Sequence, residues 1–185
     1  PYADMGFGEV EIPSILQADR EKSISIEFFT MSKSYNMGGF RVAYAIGNRE
    51  LILALRQIKA AIDFNQYRGI INGAIAALTG SQDIIPKTVN TFRQRRDVFV
   101  NAMHRIGWPV PKPAATMYVW AKLPERWQND SMGFTTKMVE KVGVAAAAGS
   151  GYGPSGEGYV RFALVQNTEI LEEAVRRIER FLQSA

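Results

Sequence analysis

The sequence predicts an α/β protein, because segments with helical periodicity alternate with short segments that have the pattern of strands. Apolar residues recur at helical spacing in five segments, at 49–62, 67–78, 86–106, 132–142 and 169–182. Alternating or continuous apolar residues indicate strands at 23–29, 42–47, 117–122, 144–148 and 159–165. With 185 residues, 46% of them hydrophobic, the chain can bury a substantial core in one domain or two small ones.

The longest and the last of the predicted helices have recognisable ends. Pro86 lies in the first turn of the long helix, where a missing backbone N–H is tolerated, and Gly107 follows its last residue. Asn167 is placed to cap the final helix, with Glu169 in its first turn beside the positive end of the helix dipole. These signals support the bounds of both helices.

Composition excludes several kinds of site. The chain has no cysteine, so it contains no disulfide, no thiolate metal site and no cysteine nucleophile. Its single histidine, His104, cannot form a multi-histidine metal cluster by itself. We therefore expect a structural role for His104 and no bound metal.

The net charge of +4 makes nucleic acid a partner to consider. The densest basic run, Arg93–Arg96, is bordered by Phe92 and Asp97 and has the pattern of the solvent face of an amphipathic helix. The remaining basic residues are scattered along the chain. We therefore expect no nucleic-acid partner.

The chain shows no feature of a membrane or secreted protein. No apolar run approaches the ~20 residues that a membrane helix needs, so no membrane partner is expected. Residues 1–4 have neither the basic start nor the apolar core of a signal peptide, which predicts a cytoplasmic location. Because the chain begins with Pro1 instead of Met and enters patterned sequence at once, we expect it to be a piece of a longer protein.

Residues 30–41 carry the strongest chemical signal, and we call them the lysine loop. Lys33 has hydroxyl residues around it and Arg41 eight positions later, behind a Gly-Gly pair. A lysine amine can attack a carbonyl, while hydroxyls and a guanidinium suit a phosphate monoester. Together these groups indicate a lysine that binds a phosphorylated aldehyde, which means pyridoxal phosphate. Composition alone also allows a solvated turn.

The lysine loop closely resembles the cofactor-lysine motif of the class I/II aminotransferases, which belong to the fold-type I pyridoxal phosphate enzymes. The matching residues form the string Ser32-Lys33-Ser34-Tyr35-Asn36-Met37-x-Gly39-x-Arg41. Thr30 stands where the family has its first serine, which keeps the hydroxyl. The resemblance implies that Lys33 forms the Schiff base and is catalytic. It also implies that Thr30, Ser32 and Arg41 bind the cofactor phosphate.

The glycine-rich segment 149–158 lacks the G-x-x-x-x-G-K-[ST] pattern of a phosphate-binding loop, so its spacing predicts a turn-rich connection between strands. The longer segment 143–162 resembles the small-domain segment of class I aminotransferases, with Ala148 in place of the usual proline. The resemblance implies that Arg161 binds the substrate α-carboxylate. A planar guanidinium on a strand suits two-point carboxylate binding.

Two further segments resemble the family. Pro1-Tyr2 matches the end of its Asp-x-x-Tyr element, whose tyrosine hydrogen-bonds the phenolic oxygen of the cofactor. The resemblance therefore implies that Tyr2 binds the cofactor, although a tyrosine at this place is equally expected to pack. The family's aspartate would fall just before residue 1. Residues 118–120, with Leu123-Pro124, resemble an aromatic strand of the family, and we predict ordinary core packing for them.

The resemblance covers nearly the whole chain and implies the C-terminal half of such an enzyme. Residues 1–92 would be the C-terminal part of the fold-type I cofactor-binding large domain, and 93–185 the small α/β C-terminal domain. The long helix would join the two near Arg93.

The implied function is pyridoxal 5'-phosphate-dependent transfer of an amino group between an amino acid and a 2-oxo acid, in amino acid metabolism or biosynthesis. The subgroup includes alanine-type and LL-diaminopimelate aminotransferases, and no residue decides between them. A homodimer is expected for the intact enzyme, and no activity for the piece by itself. Two alternatives stay open: another fold-type I enzyme such as a carbon–sulfur lyase, or a folded fragment with no activity.

Overall fold

The computed structural model describes residues 1–184, which form two compact units. Unit 1 comprises Pro1–Val89, and unit 2 extends from Asn90 onward. The division falls within one long helix, α4 (Ile84–Arg105). The assignment of residues 1–92 and 93–185 to a cofactor domain and a small domain stays a prediction.

Unit 1 contains an antiparallel pair of strands and helices on either side of it in sequence. Ile26 lies opposite Gly47 and Thr30 lies opposite Ala43 in this pair. Besides the start of α4, its elements are α1 (Ile15–Ala18), β1 (Ile26–Thr30), β2 (Ala43–Gly47), α2 (Arg49–Ile62) and α3 (Arg68–Thr79). A short 3₁₀ turn, Gly38–Phe40, precedes β2.

The N-terminal cap of α2 explains why this helix spans the residues that the periodicity predicted. The Asn48 side-chain oxygen accepts hydrogen bonds from the backbone N–H groups of Glu50 and Leu51, at 2.9 and 3.1 Å. Its amide also donates to the carbonyl of Ser23 at 2.7 Å. A cap of this kind satisfies N–H groups that have no partner inside the helix.

Unit 2 is built on a three-stranded antiparallel sheet with the order β3-β5-β4. Its elements after α4 are β3 (Tyr118–Lys122), α5 (Ser131–Val142), β4 (Ala147–Ala148), β5 (Tyr159–Ala163) and α6 (Thr168–Ser184), with 3₁₀ turns at Glu125–Trp127, Gly149–Tyr152 and Pro154–Gly156. Asn167 caps α6 by accepting from Ile170 N at 2.9 Å, as predicted.

One face of this sheet forms the core of unit 2. Val160 and Phe162 of the central strand are buried, as are Val119 and Ala121 of β3. Aromatic rings pack on that face, with ring centroids 5.2–5.8 Å apart in the pairs Phe99–Phe162, Trp108–Phe162, Trp108–Phe134 and Phe134–Phe181. Because side chains alternate along a strand, the residues between them point to the opposite face.

Two sequence-based predictions about unit 2 need correction. The predicted strand 144–148 shrinks to two residues, because β4 lies at the sheet edge and pairs only with Arg161 and Val160. The basic run of α4 is only partly a solvent face. Arg96 is buried, donates to the carbonyl of Pro113 at 3.0 Å and pairs with Asp97 at 2.8 Å.

Other predictions about composition can be placed in the structure. His104 Nε2 lies 2.8 Å from the carbonyl oxygen of Val110, which is a contact of a structural kind. Residues 1–184 contain no group of three or more His, Asp or Glu side chains arranged to hold a metal ion. Among the helices described above, none is long and apolar enough to cross a membrane.

The segment Gly149–Gly158, which we call the glycine loop, is the predicted turn-rich connection between strands. It is closed by the contact of two glycines. A Cβ atom on Gly149 would overlap the carbonyl oxygen of Gly156, and a Cβ atom on Gly156 would overlap the carbonyl oxygen of Gly149. Both glycines are buried, so neither backbone can move aside freely.

Glu157 ties the glycine loop to the start of α5. Its carboxylate accepts from Ser131 N at 2.6 Å, Gly158 N at 3.0 Å and Ser131 Oγ at 3.2 Å. Ser131 Oγ in turn lies 2.9 Å from Ser150 Oγ and accepts from Ser150 N at 3.2 Å. The backbone hydrogen bonds from Ser131 and Gly158 are the main reason that the pKa of Glu157 lies below its ordinary value.

We expect Gly149→Ala to destabilise the protein by roughly 1–3 kcal/mol, because the new methyl group must displace backbone atoms of Gly156. Gly151→Ala is the matched control, since a Cβ atom there would have no heavy atom within 4 Å. Chemical denaturation of both variants measures the difference. Equal stability of the two would show that the glycine contact does not constrain the loop.

We expect Glu157→Gln to lower stability at neutral pH and to have less effect in acid. A carboxyl whose folded pKa is lowered stabilises the fold above its ordinary pKa of 4.5, and that stabilisation disappears as the pH falls through the folded value. The free energies of unfolding of wild type and variant should therefore converge below pH 4.5. Glu140→Gln, on the exposed side of α5, is the control. A difference that is independent of pH would contradict the carboxylate network.

Candidate active site

The lysine loop leaves β1 and returns to β2 as a closed segment. Met31 N donates to the carbonyl of Val42 at 3.3 Å, and Met37 N donates to the carbonyl of Met31 at 3.2 Å. Met31, Met37, Val42 and Ala74 form a buried cluster against which Tyr35, Tyr44, Ile70 and Ala77 pack. Half-buried Lys33 therefore lies in a loop that is fixed to the interior of unit 1 by two buried side chains, those of Met31 and Met37.

Two of the predicted phosphate-binding hydroxyls lie together in this loop. Thr30 Oγ1 lies 2.8 Å from Ser32 Oγ, and Ser32 N donates to Thr30 Oγ1 at 3.1 Å. Both side chains are half-buried and lie within the three residues before Lys33. The structure therefore brings Thr30, Ser32 and Lys33 into one turn at the end of β1.

Arg41 closes the same loop with an unusual backbone. Its φ of 53° is left-handed, a conformation that is unfavourable for a residue with a Cβ atom. The Arg41 guanidinium donates to the carbonyl of Gly38 at 3.0 Å, and the carbonyl of Arg41 accepts from Gln66 Nε2 at 3.0 Å. Gln66 carries no sequence signal for this role. Left-handed residues that are held by their surroundings are common at functional sites.

Tyr2, the remaining predicted residue of unit 1, is half-buried in the N-terminal segment, and its carbonyl accepts from Met5 N at 3.0 Å. Asp4 follows shortly after. Burial raises the pKa values of Tyr35 and Tyr44, and the negative charge of Asp4 raises both further. The N-terminal segment therefore acts electrostatically on tyrosines that pack against the lysine loop.

Arg161 belongs to unit 2, at the middle of the central strand β5. It lies opposite Trp120 of β3 and Ala147 of β4. The side chain is half-buried, and its Nε atom is buried without a hydrogen-bond partner among residues 1–184. Within that part of the chain, no carboxylate pairs with the guanidinium, so its charge is available to an anion.

Aromatic rings surround Arg161 on this face. Its guanidinium carbon lies over the ring of Tyr118, 4.1 Å from the ring centroid, and over that of Tyr152 at 4.7 Å. Trp120 stacks on Tyr159 with centroids 5.6 Å apart and meets Tyr152 edge-on at 5.6 Å. We call Tyr118, Trp120, Tyr152, Tyr159 and Arg161 the aromatic face.

The prediction of core packing is correct for Val119 and Leu123, which are both buried. Tyr118 and Trp120 lie on the other face with Arg161, because residues of the same parity on paired strands share a face. The sequence alone could have shown that Tyr118 and Trp120 share a face with Arg161 only if the pairing of β3 with β5 had been known. Tyr152 was not predicted, since the glycine loop that carries it has no regular pattern.

The chain is similar to known proteins over nearly its whole length. Residues 1–178 match the family model described as aminotransferase class I and II. The LL-diaminopimelate aminotransferase of Dehalococcoides mccartyi is 41% identical over 185 residues, which are all of this chain and 47% of that protein. The glutamate-pyruvate aminotransferase AlaC of Escherichia coli is 38% identical over 184 residues, 99% of this chain and 45% of that protein.

Solved structures show the same fold. A probable N-succinyldiaminopimelate aminotransferase from Thermus thermophilus superposes with a TM-score of 0.88 at 39% identity, over 97% of this chain and 48% of that one. The chain thus spans about half the length of the relatives it matches. From the family match over residues 1–178 and these relatives, the chain belongs to the class I and II aminotransferases.

Proposed function

We propose that this chain contributes to a pyridoxal 5'-phosphate-dependent aminotransferase that moves an amino group between an amino acid and a 2-oxo acid. The observation that carries the proposal is the turn after β1, where Lys33 follows the hydrogen-bonded hydroxyl pair of Thr30 and Ser32. Family membership supports the same activity.

The lysine loop fits the proposed cofactor. Paired hydroxyls and a guanidinium in one closed loop are donors suited to a phosphate monoester, and a lysine amine is suited to an aldehyde. We assign Thr30, Ser32 and Arg41 to the phosphate, Lys33 to the aldehyde carbon and Tyr2 to the phenolic oxygen. When bound, pyridoxal phosphate supplies an electron sink that stabilises the carbanion left by loss of the α-proton.

The protein's own groups then act on the amino acid. Arg161 binds the α-carboxylate through the N–H groups of its guanidinium, which have no competing carboxylate among the described residues. A fixed carboxylate restricts the orientation of the α C–H bond. The amine of Lys33 would accept the proton from the α carbon as general base and then, as general acid, donate it to the former aldehyde carbon.

The same proposal includes the domain organisation, the oligomeric state, the location and the substrates. We assign residues 1–92 to the C-terminal part of a cofactor-binding large domain and 93–185 to a small domain. We expect a homodimer in the cytoplasm. Association is supported by the apolar side chains that unit 1 leaves at least half exposed, namely Ile24, Phe28, Phe40, Ile58, Ile62, Phe64, Tyr67 and Ile75. The relatives' names nominate LL-diaminopimelate, and glutamate with pyruvate, as the substrates to test.

The first test is Lys33→Ala in the protein expressed from its complete gene. The variant should lack the visible absorbance of a lysine-bound cofactor, and borohydride should no longer fix the cofactor to the chain. Peptide mass spectrometry of the reduced protein reads out the attachment. Lys59→Ala, on α2 in the same unit, should keep the label on Lys33. A label fixed in Lys33→Ala at another lysine would refute the assignment of Lys33.

The second test is Arg161→Lys in the same protein. A lysine offers one ammonium point in place of a planar fork, so KM for the amino acid should rise roughly 10- to 100-fold. The cofactor absorbance should stay the same, because Arg161 is not assigned to the cofactor. Arg176→Lys, at an exposed ion pair on α6, is the control. An unchanged KM would place the carboxylate site elsewhere.

A further inference from the structure

We infer that Tyr152 is a positioning residue for Arg161. Its ring, held by the glycine loop, fixes the direction in which the guanidinium presents its N–H groups to a carboxylate. The inference rests on the proposed function, because it assumes that Arg161 binds the substrate carboxylate. It adds a residue and a loop to that site.

The guanidinium of Arg161 is held by two aromatic rings. An arginine side chain has many rotamers, and binding is weakened when it must be ordered at the moment of contact. Within residues 1–184, Arg161 has no hydrogen-bond or ion-pair partner for its side chain. Its guanidinium lies over the rings of Tyr118 and Tyr152. These rings are therefore the groups that order it.

An aromatic ring restrains a guanidinium in a different way from a carboxylate. A ring face attracts the cation through its quadrupole and leaves the N–H donors of the guanidinium unused. A carboxylate in the same place would restrain Arg161 equally well, but it would also neutralise the charge and occupy the donors. Aromatic contacts thus keep Arg161 ordered and still able to bind an anion.

Tyr118 and Tyr152 differ in what fixes their own positions. Tyr118 is part of β3, where it lies opposite Ala163 of β5, so strand pairing fixes its backbone. Tyr152 ends the 3₁₀ turn Gly149–Tyr152 of the glycine loop, and it is 51% exposed. Little burial holds its side chain, and its place depends on the loop and on the edge of Trp120 at 5.6 Å.

The glycine loop is attached to the start of α5 on both sides of Tyr152. Ser150, two residues before Tyr152, is hydrogen-bonded to Ser131 at the start of α5. Glu157, five residues after Tyr152, is hydrogen-bonded to the same Ser131. The contact of Gly149 with Gly156 closes the loop between them. The position of the Tyr152 ring is thereby tied to the N-terminus of α5.

The test uses the holoenzyme and propanoate, a carboxylate with no amino or oxo group, as a competitive inhibitor of the amino acid. Tyr152→Leu removes the ring face and should raise the inhibition constant of propanoate and KM for the amino acid roughly 5- to 30-fold, the range of a partly desolvated cation–π contact. The effect on kcat should be smaller. Tyr152→Phe keeps the ring and should stay within about twofold of wild type.

A double-mutant cycle distinguishes positioning from a general structural effect. Tyr152→Leu should weaken propanoate binding much less when Arg161 is already Lys, because the group that it positions is gone. Glu157→Gln, which keeps the Tyr152 side chain but loosens the loop that positions it, should raise the same inhibition constant in wild type and have little further effect in Tyr152→Leu. Equal effects of Tyr152→Leu in both Arg161 backgrounds would overturn the inference.

Failure of the inference and failure of the proposed function give different results. If Tyr152→Leu and Glu157→Gln leave propanoate binding unchanged while Arg161→Lys weakens it, Arg161 binds the carboxylate without help from the loop. The inference is then wrong and the proposed function stands. If Arg161→Lys itself leaves propanoate binding unchanged, the carboxylate site of the proposed function is wrong as well.

Discussion

The alternation of side chains along β5 is the constraint on which unit 2 depends. Because successive residues point to opposite faces, the buried packing of Val160 and Phe162 forces Tyr159 and Arg161 onto the other face. The core that stabilises the unit thus also orients the arginine that we propose binds the substrate carboxylate. β5 lies between β3 and β4, so pairing on both sides fixes the backbone of Arg161. A shift of one residue in register would exchange the two faces and bury the charge.

Two arginines of unit 2 show how the surroundings decide what a cation does. Arg96 is buried with the carboxylate of Asp97 and the carbonyl of Pro113 as its partners, and its charge is used within the fold. Asp97 also pairs with Lys112 at 2.9 Å, and the hydrogen bonds and charges of both partners lower its pKa in spite of burial. Arg161 has ring faces in place of such partners. A buried charge without a partner is unfavourable, so half-burial beside aromatic rings is a workable arrangement for a cation that we propose binds a ligand.

The lysine loop of unit 1 follows a similar principle by different means. A buried apolar cluster fixes Met31 and Met37 on either side of Lys33, while Lys33 and the neighbouring Ser32 are half-buried. The left-handed backbone at Arg41 is held by the hydrogen bond from Gln66. In both units, the residues to which we assign the chemistry are held by neighbours to which we assign none, an apolar cluster and Gln66 in unit 1 and aromatic rings in unit 2. Such pre-organisation limits the reordering that binding requires.

Local patterns were sufficient to predict much of the chain. The bounds of α2, the cap at Asn167, the end of α4 before Gly107 and the turns of the glycine loop all follow from interactions between residues close in sequence. The lysine loop was also recognisable, because its residue types and spacing are contiguous. The hydrogen bond between Thr30 and Ser32 is of the same local kind.

The tertiary structure decided what depends on segments far apart in sequence. The sequence of residues 118–120 predicts a strand, but only its pairing with β5 assigns Tyr118 to the face of Arg161 instead of the core. The burial of Arg96 depends on the carbonyl of Pro113, and the shortness of β4 depends on its place at the sheet edge. The sequence by itself thus determined the helices, their caps and the lysine loop, since these form from near neighbours. Only the folded chain decided which rings order Arg161, because strand register and loop closure bring them together.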